Sequence, residues 1–129
     1  MSARPTKRTR RQDQVELAFL EAVHRRRENN WRVWEALGEL YTRAGRYEEG
    51  LAMDRRLADR HPEDPMVLYN LACSYALTGR PDDALVVLAR ALAAGYSDLP
   101  WMRRDKDLVS LHGDPRFEAL LQRKRPPDK

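Results

Sequence analysis

The side chains able to do chemistry are few: three histidines, His24, His61 and His112, one cysteine, Cys73, and carboxylates scattered along the chain. Catalysis needs a nucleophile or an acid and a base held together, and none of these residues sits in a motif whose spacing would do that. His24 follows an apolar residue, His61 precedes a proline and His112 precedes a glycine, so each has a structural reading at a helix face or end. Glycine-rich phosphate loops, paired metal ligands and dinucleotide fingerprints do not occur in the sequence. The reading is of a protein that is not an enzyme, with no catalytic residue, no metal and no cofactor. A single cysteine excludes an internal disulfide and a thiolate-rich zinc site, which suits a reducing compartment and a cytoplasmic location.

The 129 residues are 42% apolar and 34% charged, the profile of one soluble domain with a heavily charged surface. No apolar run approaches the roughly 20 residues that span a bilayer, and the basic N-terminus has no apolar core behind it to act as a secretory signal. The net charge is +4, and its location matters more than its size. Arg4, Lys7, Arg8, Arg10 and Arg11 supply +5 before the first acid, Asp13, so residues 13–129 sum to 4 − 5 = −1. The basic character therefore belongs to a tail, expected to be disordered over 1–12 because it lacks large apolar side chains.

The elements follow from periodicity. Asp13 with Glu16 three residues on reads as a capping box that opens a leading helix over 13–29, carrying Leu17, Leu20 and Val23 inward. A hairpin over 30–63 places Trp34, Leu37, Gly38 and Tyr41 on one helical stripe and turns at Gly45-Arg46. A second hairpin over 64–97 has Leu68, Leu71, Ala72 and Tyr75 at the same spacing, starts at Asp64-Pro65, turns at Gly79-Arg80-Pro81 and closes at Gly95. Residues 98–125 read as a terminal cap, with Asp98 and Asp114 opening short helices and Trp101, Phe117, Leu120 and Leu121 facing inward. Residues 126–129 are a tail.

The two hairpins are copies. Shifting the chain by 34 residues lays Val33, Leu37, Tyr41, Gly45, Arg46, Leu51, Arg56 and Asp64 on Val67, Leu71, Tyr75, Gly79, Arg80, Leu85, Arg90 and Asp98. Leu17, Leu51 and Leu85 extend the register into the leading helix. With W-E-A-L-G-E-L-Y at 34–41 and L-Y-N-L-A-C-S-Y at 68–75, the sequence resembles the tetratricopeptide repeat family, whose period and W-x2-L-G-x2-Y pattern these are. The closing segment resembles the end-of-group segment of bacterial arrays, and twenty arginines against four lysines fit a GC-rich bacterial genome. The resemblance implies an all-α solenoid of antiparallel hairpins, about seven helices with a leading half-repeat and capping helices. Gly50 and Asp54 stand where the family prefers alanine and a large apolar residue, which marks the first hairpin as the looser one.

In this family the first helix of each hairpin lines a concave ligand face. Carried over by position, the resemblance implies a peptide-binding groove made of Arg32, Glu35, Glu39, Thr42 and Arg43 from the first hairpin and Met66, Tyr69, Asn70, Cys73 and Leu77 from the second. Some members clamp a C-terminal carboxylate with lysine and asparagine on the first groove helix. Glu35 and Glu39 occupy those places here and would repel it. The expected function is non-catalytic protein binding by a monomer, a scaffold or adaptor. Two other readings are an anion-binding tail, Arg4, Lys7, Arg8, Arg10 and Arg11, tethering the protein to nucleic acid or an anionic surface, and a structural subunit that self-associates.

Overall fold

A computed structural model describes residues 9–27 and 29–123, and among them every element is helical. The order is α1 (Arg10–Arg26), α2 (Trp31–Arg43), α3 (Tyr47–Arg60), α4 (Pro65–Leu77), α5 (Pro81–Ala93), α6 (Leu99–Arg104), a 3-10 helix η1 (Lys106–Leu111) and α7 (Pro115–Leu121). From α1 to α5 each helix packs on the next, and the closing elements pack back on α4 and α5, an all-α solenoid in which α4 lies between α3, α5 and η1.

Side chains that satisfy orphan amides start most helices: Asn30 accepts from the backbone N–H of Arg32 and Val33, and Asp64 does the same for Met66 and Val67 ahead of Pro65. Thr9 caps α1 in a reciprocal box with Gln12, its hydroxyl accepting from the Gln12 N–H at 3.0 Å while the Gln12 amide oxygen accepts from the Thr9 N–H at 2.9 Å. This corrects the expected start at Asp13. Arg10 and Arg11 are therefore helical and not part of a tail, whereas Arg4, Lys7 and Arg8 lie outside the described residues. Asp13, freed from capping, accepts from the Arg43 guanidinium at 2.9 Å and ties α1 to α2.

The hairpin turns repeat atom for atom. Gly45 and Gly79 take φ of +80° and +75°, and the next amide reaches back across the helix end, Arg46 N–H to the Tyr41 carbonyl at 2.8 Å and Arg80 N–H to the Tyr75 carbonyl at 2.9 Å. Each is a six-to-one closure around a left-handed glycine.

The period also continues past Gly95. Shifting α4 by 34 residues spans the start of α6 to the end of η1, and shifting the start of α5 gives Pro115 at the start of α7, with Gly113 at φ +89° in the place of Gly79. The closing segment is thus a third repeat whose first helix breaks at Asp105 and whose second is short.

The first hairpin is closely packed and not loose. A Cβ on Gly50 would lie 2.8 Å from Thr42 Oγ1, and one on Gly38 2.8 Å from Asp54 Oδ1, so the two glycines let α2 and α3 approach. Asp54 is buried and accepts from the Ser74 hydroxyl at 2.5 Å, joining α3 to α4. It is an inter-repeat bond where an apolar contact was expected.

Candidate functional site

The first helices of the hairpins, α2 and α4, carry the ten residues expected to line a groove, and the fold treats them unequally. Arg32 and Glu35 are exposed on α2, and the Arg32 guanidinium lies 5.1 Å from the Trp31 ring centroid. Arg32 and Met66 are one period apart, and so occupy equivalent first-turn positions on the first helices of the two hairpins. Met66 is 48% exposed, large for a methionine with packed neighbours. Asn70 and Leu77 are half-buried on the same helix as Met66.

The remaining five are occupied within the fold. Glu39 accepts from Arg43 at 2.7 Å, and Arg43 also reaches Asp13. The Thr42 hydroxyl is wedged against Gly50. Tyr69 is 0% and Cys73 3% exposed, which removes both from the groove. The Tyr69 hydroxyl donates to Asp105 at 2.8 Å, its ring stacks on Tyr96 with centroids 4.2 Å apart, and the Cys73 thiol lies 3.8 Å from the same Asp105 carboxylate. The cause is the third repeat. Its broken first helix lies across α4, so side chains that would face a ligand meet η1 instead.

Asp105 is the residue that the sequence reading missed. It is 2% exposed, and it receives the Tyr69 hydroxyl on one oxygen and the Asp107 N–H on the other at 3.0 Å, which caps η1. Its signal was available, since Asp105 falls one period after Leu71 and two after Leu37, an acid on a buried stripe.

Electrostatics are set by the same contacts. Burial, with Cys73 and the Asp105 carboxylate close by, holds the Tyr69 hydroxyl far above the ordinary tyrosine range, and burial pushes Tyr96 up to about 12. Burial pushes the Asp54 carboxyl up to about 6 against the opposing Ser74 hydrogen bond. On the turn side, Tyr41 donates to Glu21 at 2.6 Å and Arg46 forms a two-pronged pair with Glu49, holding that carboxyl below its usual range.

His61 packs edge-on against Trp31 at 5.0 Å and His112 stacks on Phe117 at 5.7 Å. His24 Nδ1 and His61 Nε2 are buried without a hydrogen-bond partner among the described residues. Among those residues no group of three or more metal-binding side chains forms, and no helix is long and apolar enough to cross a membrane.

Residues 31–72 match the tetratricopeptide repeat family. Among curated proteins the chain is 32% identical over 88 residues to a chloroplastic protein of Arabidopsis thaliana, covering 66% of this chain and 26% of that protein. It is 34% identical over 83 residues to a "Peroxisomal targeting signal receptor" of Candida albicans, covering 64% of this chain and 14% of that one. The chain thus spans a minor share of the length of either relative. No solved structure matches it significantly.

Proposed function

This chain is a tetratricopeptide-repeat protein, and from that premise we propose that it is a non-catalytic protein-interaction module whose ligand is a protein segment laid across α2 and α4. The observation that carries the reading is Met66. It is an exposed, adaptable apolar side chain at the position equivalent to Arg32 of α2, where Arg32 and Glu35 are exposed. Asn70 and Leu77 continue this surface along α4 with an amide and an apolar floor. The likeness to a receptor for a targeting signal supports a peptide-like ligand. Glu35 favours a basic group in that ligand through charge complementarity. The surface is smaller than the ten-residue groove implied by the family, because Tyr69 and Cys73 lie under η1.

A photo-crosslinking side chain placed at Met66 tests the reading against one placed at Val86, which is 62% exposed on α5. Capture of one partner from position 66 and not from position 86 is the expected result, with Glu35→Lys weakening that partner's binding most at low salt. Capture from position 86 alone would overturn it.

A further inference from the structure

The outward face of α1 carries Val15 and Phe19, each 66% exposed and one helical turn apart. The 34-residue register aligns Phe19 with Met53 and Val87, which are 8% and 5% exposed. Met53 is buried against α2, its Cβ 3.5 Å from where a Gly38 Cβ would stand. The position that is buried in the two following hairpins, and at Met53 packs on a first helix, is therefore open in α1.

An ordinary first helix of a repeat does not fit there. Glu16 stands where α3 has Gly50 and α5 has Ala84, and at Gly50 even one added carbon would come within 2.8 Å of the facing helix. Charge then narrows the occupant. Arg10 and Arg11 are exposed at one end of α1 and Arg25, Arg26 and Arg27 at the other. Of the α1 acids, Asp13 and Glu21 turn inward to Arg43 and Tyr41, and Glu16 borders the stripe beside Val15, outnumbered by the five arginines. With both ends basic, a second copy of α1 laid on the first in either direction sets arginine against arginine. A helix whose apolar stripe is framed by acids meets both the stripe and the charges. The shallow depression at the start of the stripe is lined by Thr9, Arg11, Gln12, Val15 and Glu16, all from α1 and its cap, and is too open to enclose a small molecule.

We infer that the outward face of α1 is a second docking surface, distinct from the α2–α4 groove, and that it binds an acidic amphipathic helix of a partner protein.

The test uses two labelled synthetic helices about as long as α1, 17 residues, with the same leucine–alanine stripe, one flanked by glutamates and one by lysines. Fluorescence anisotropy should give the glutamate helix an affinity about tenfold or more above the lysine helix at low salt, an advantage that shrinks as salt rises. Phe19→Ala, which alters an exposed side chain, should weaken the glutamate helix by about tenfold at every salt concentration. The triple variant Arg11→Glu, Arg25→Glu, Arg26→Glu should invert the preference. Met66→Ala should change nothing. Failure of both helices to bind, equal binding of the two, or indifference to Phe19→Ala would overturn the inference. So would loss of binding in Met66→Ala instead, which would move the helix to the α2–α4 surface and leave the proposed function standing. Concentration-dependent dimerisation abolished by Phe19→Ala would assign the face to self-association and equally overturn it.

Discussion

At the scale of single residues, the informative side chains are acids where the pattern asks for apolar groups. Asp54 is buried, and its folded pKa of about 6 lies above the unfolded value near 3.8, so between those values the native state holds the extra proton. Its contribution to stability is present at low pH and is lost as pH rises through about 6, a change on the order of 3 kcal/mol. Asp54→Asn, which keeps an acceptor for Ser74, should remove that dependence. The difference in urea midpoint between variant and parent should favour the variant near neutrality and shrink on acidification to about pH 4; a constant difference would contradict the burial argument. Asp105 is different in kind because the Tyr69 hydroxyl and the Cys73 thiol meet one of its oxygens and the Asp107 N–H the other. Tyr69→Phe withdraws the hydroxyl and leaves that buried oxygen with only the weak thiol donor, which should cost about 1–3 kcal/mol in chemical denaturation. An unchanged midpoint would mean that the hydroxyl is not paired in solution.

At the scale of elements, the repeat is a statement about how closely two helices can approach. Gly50 is not a weak point in α3. It is the place where α3 meets Thr42 and the Gly38 carbonyl. Gly50→Ala improves intrinsic helix propensity by roughly 1 kcal/mol but places a carbon 2.8 Å from Thr42 Oγ1, an overpacking that typically costs about 1–3 kcal/mol. The clash should win, lowering thermal stability. Thr42→Ala in the same molecule should restore it, because the next contact, 3.4 Å to Gly38 O, can relax. If the single variant is more stable than the parent, α2 and α3 are farther apart than described. The Gly45 and Gly79 turns needed no such inference: a glycine ending each stripe one period apart dictates the same left-handed closure.

At the scale of the molecule, the third repeat closes the solenoid by covering α4 and α5. Ending the chain after Gly95 would expose Tyr69, Cys73, Leu85, Leu88 and Leu92, and solenoids stripped of a terminal unit associate. Light scattering should show a particle growing with concentration, and a stable monomer would mean that α6, η1 and α7 do not pack as described. The helix-turn periodicity, the 34-residue register, the two good hairpins and the family were all legible in the sequence, because each depends on spacing along one chain: stripes at 3.6 residues, caps at helix starts, glycines at turns. The third repeat was legible in part, in Asp98, Gly113 and Pro115, but was masked by the polar Asp105 that breaks its first helix. What the sequence could not decide was which members of the concave face stay open. Tyr69 and Met66 look alike in a helical stripe, both on the ligand side of α4. Only the path of η1 across α4, a contact between residues about one period apart and set by the Tyr69–Asp105 bond, buries one and leaves the other to solvent. The same holds for α1, where Phe19 shares its register with the buried Met53 and Val87 and is exposed because burial depends on a neighbour that spacing alone cannot supply.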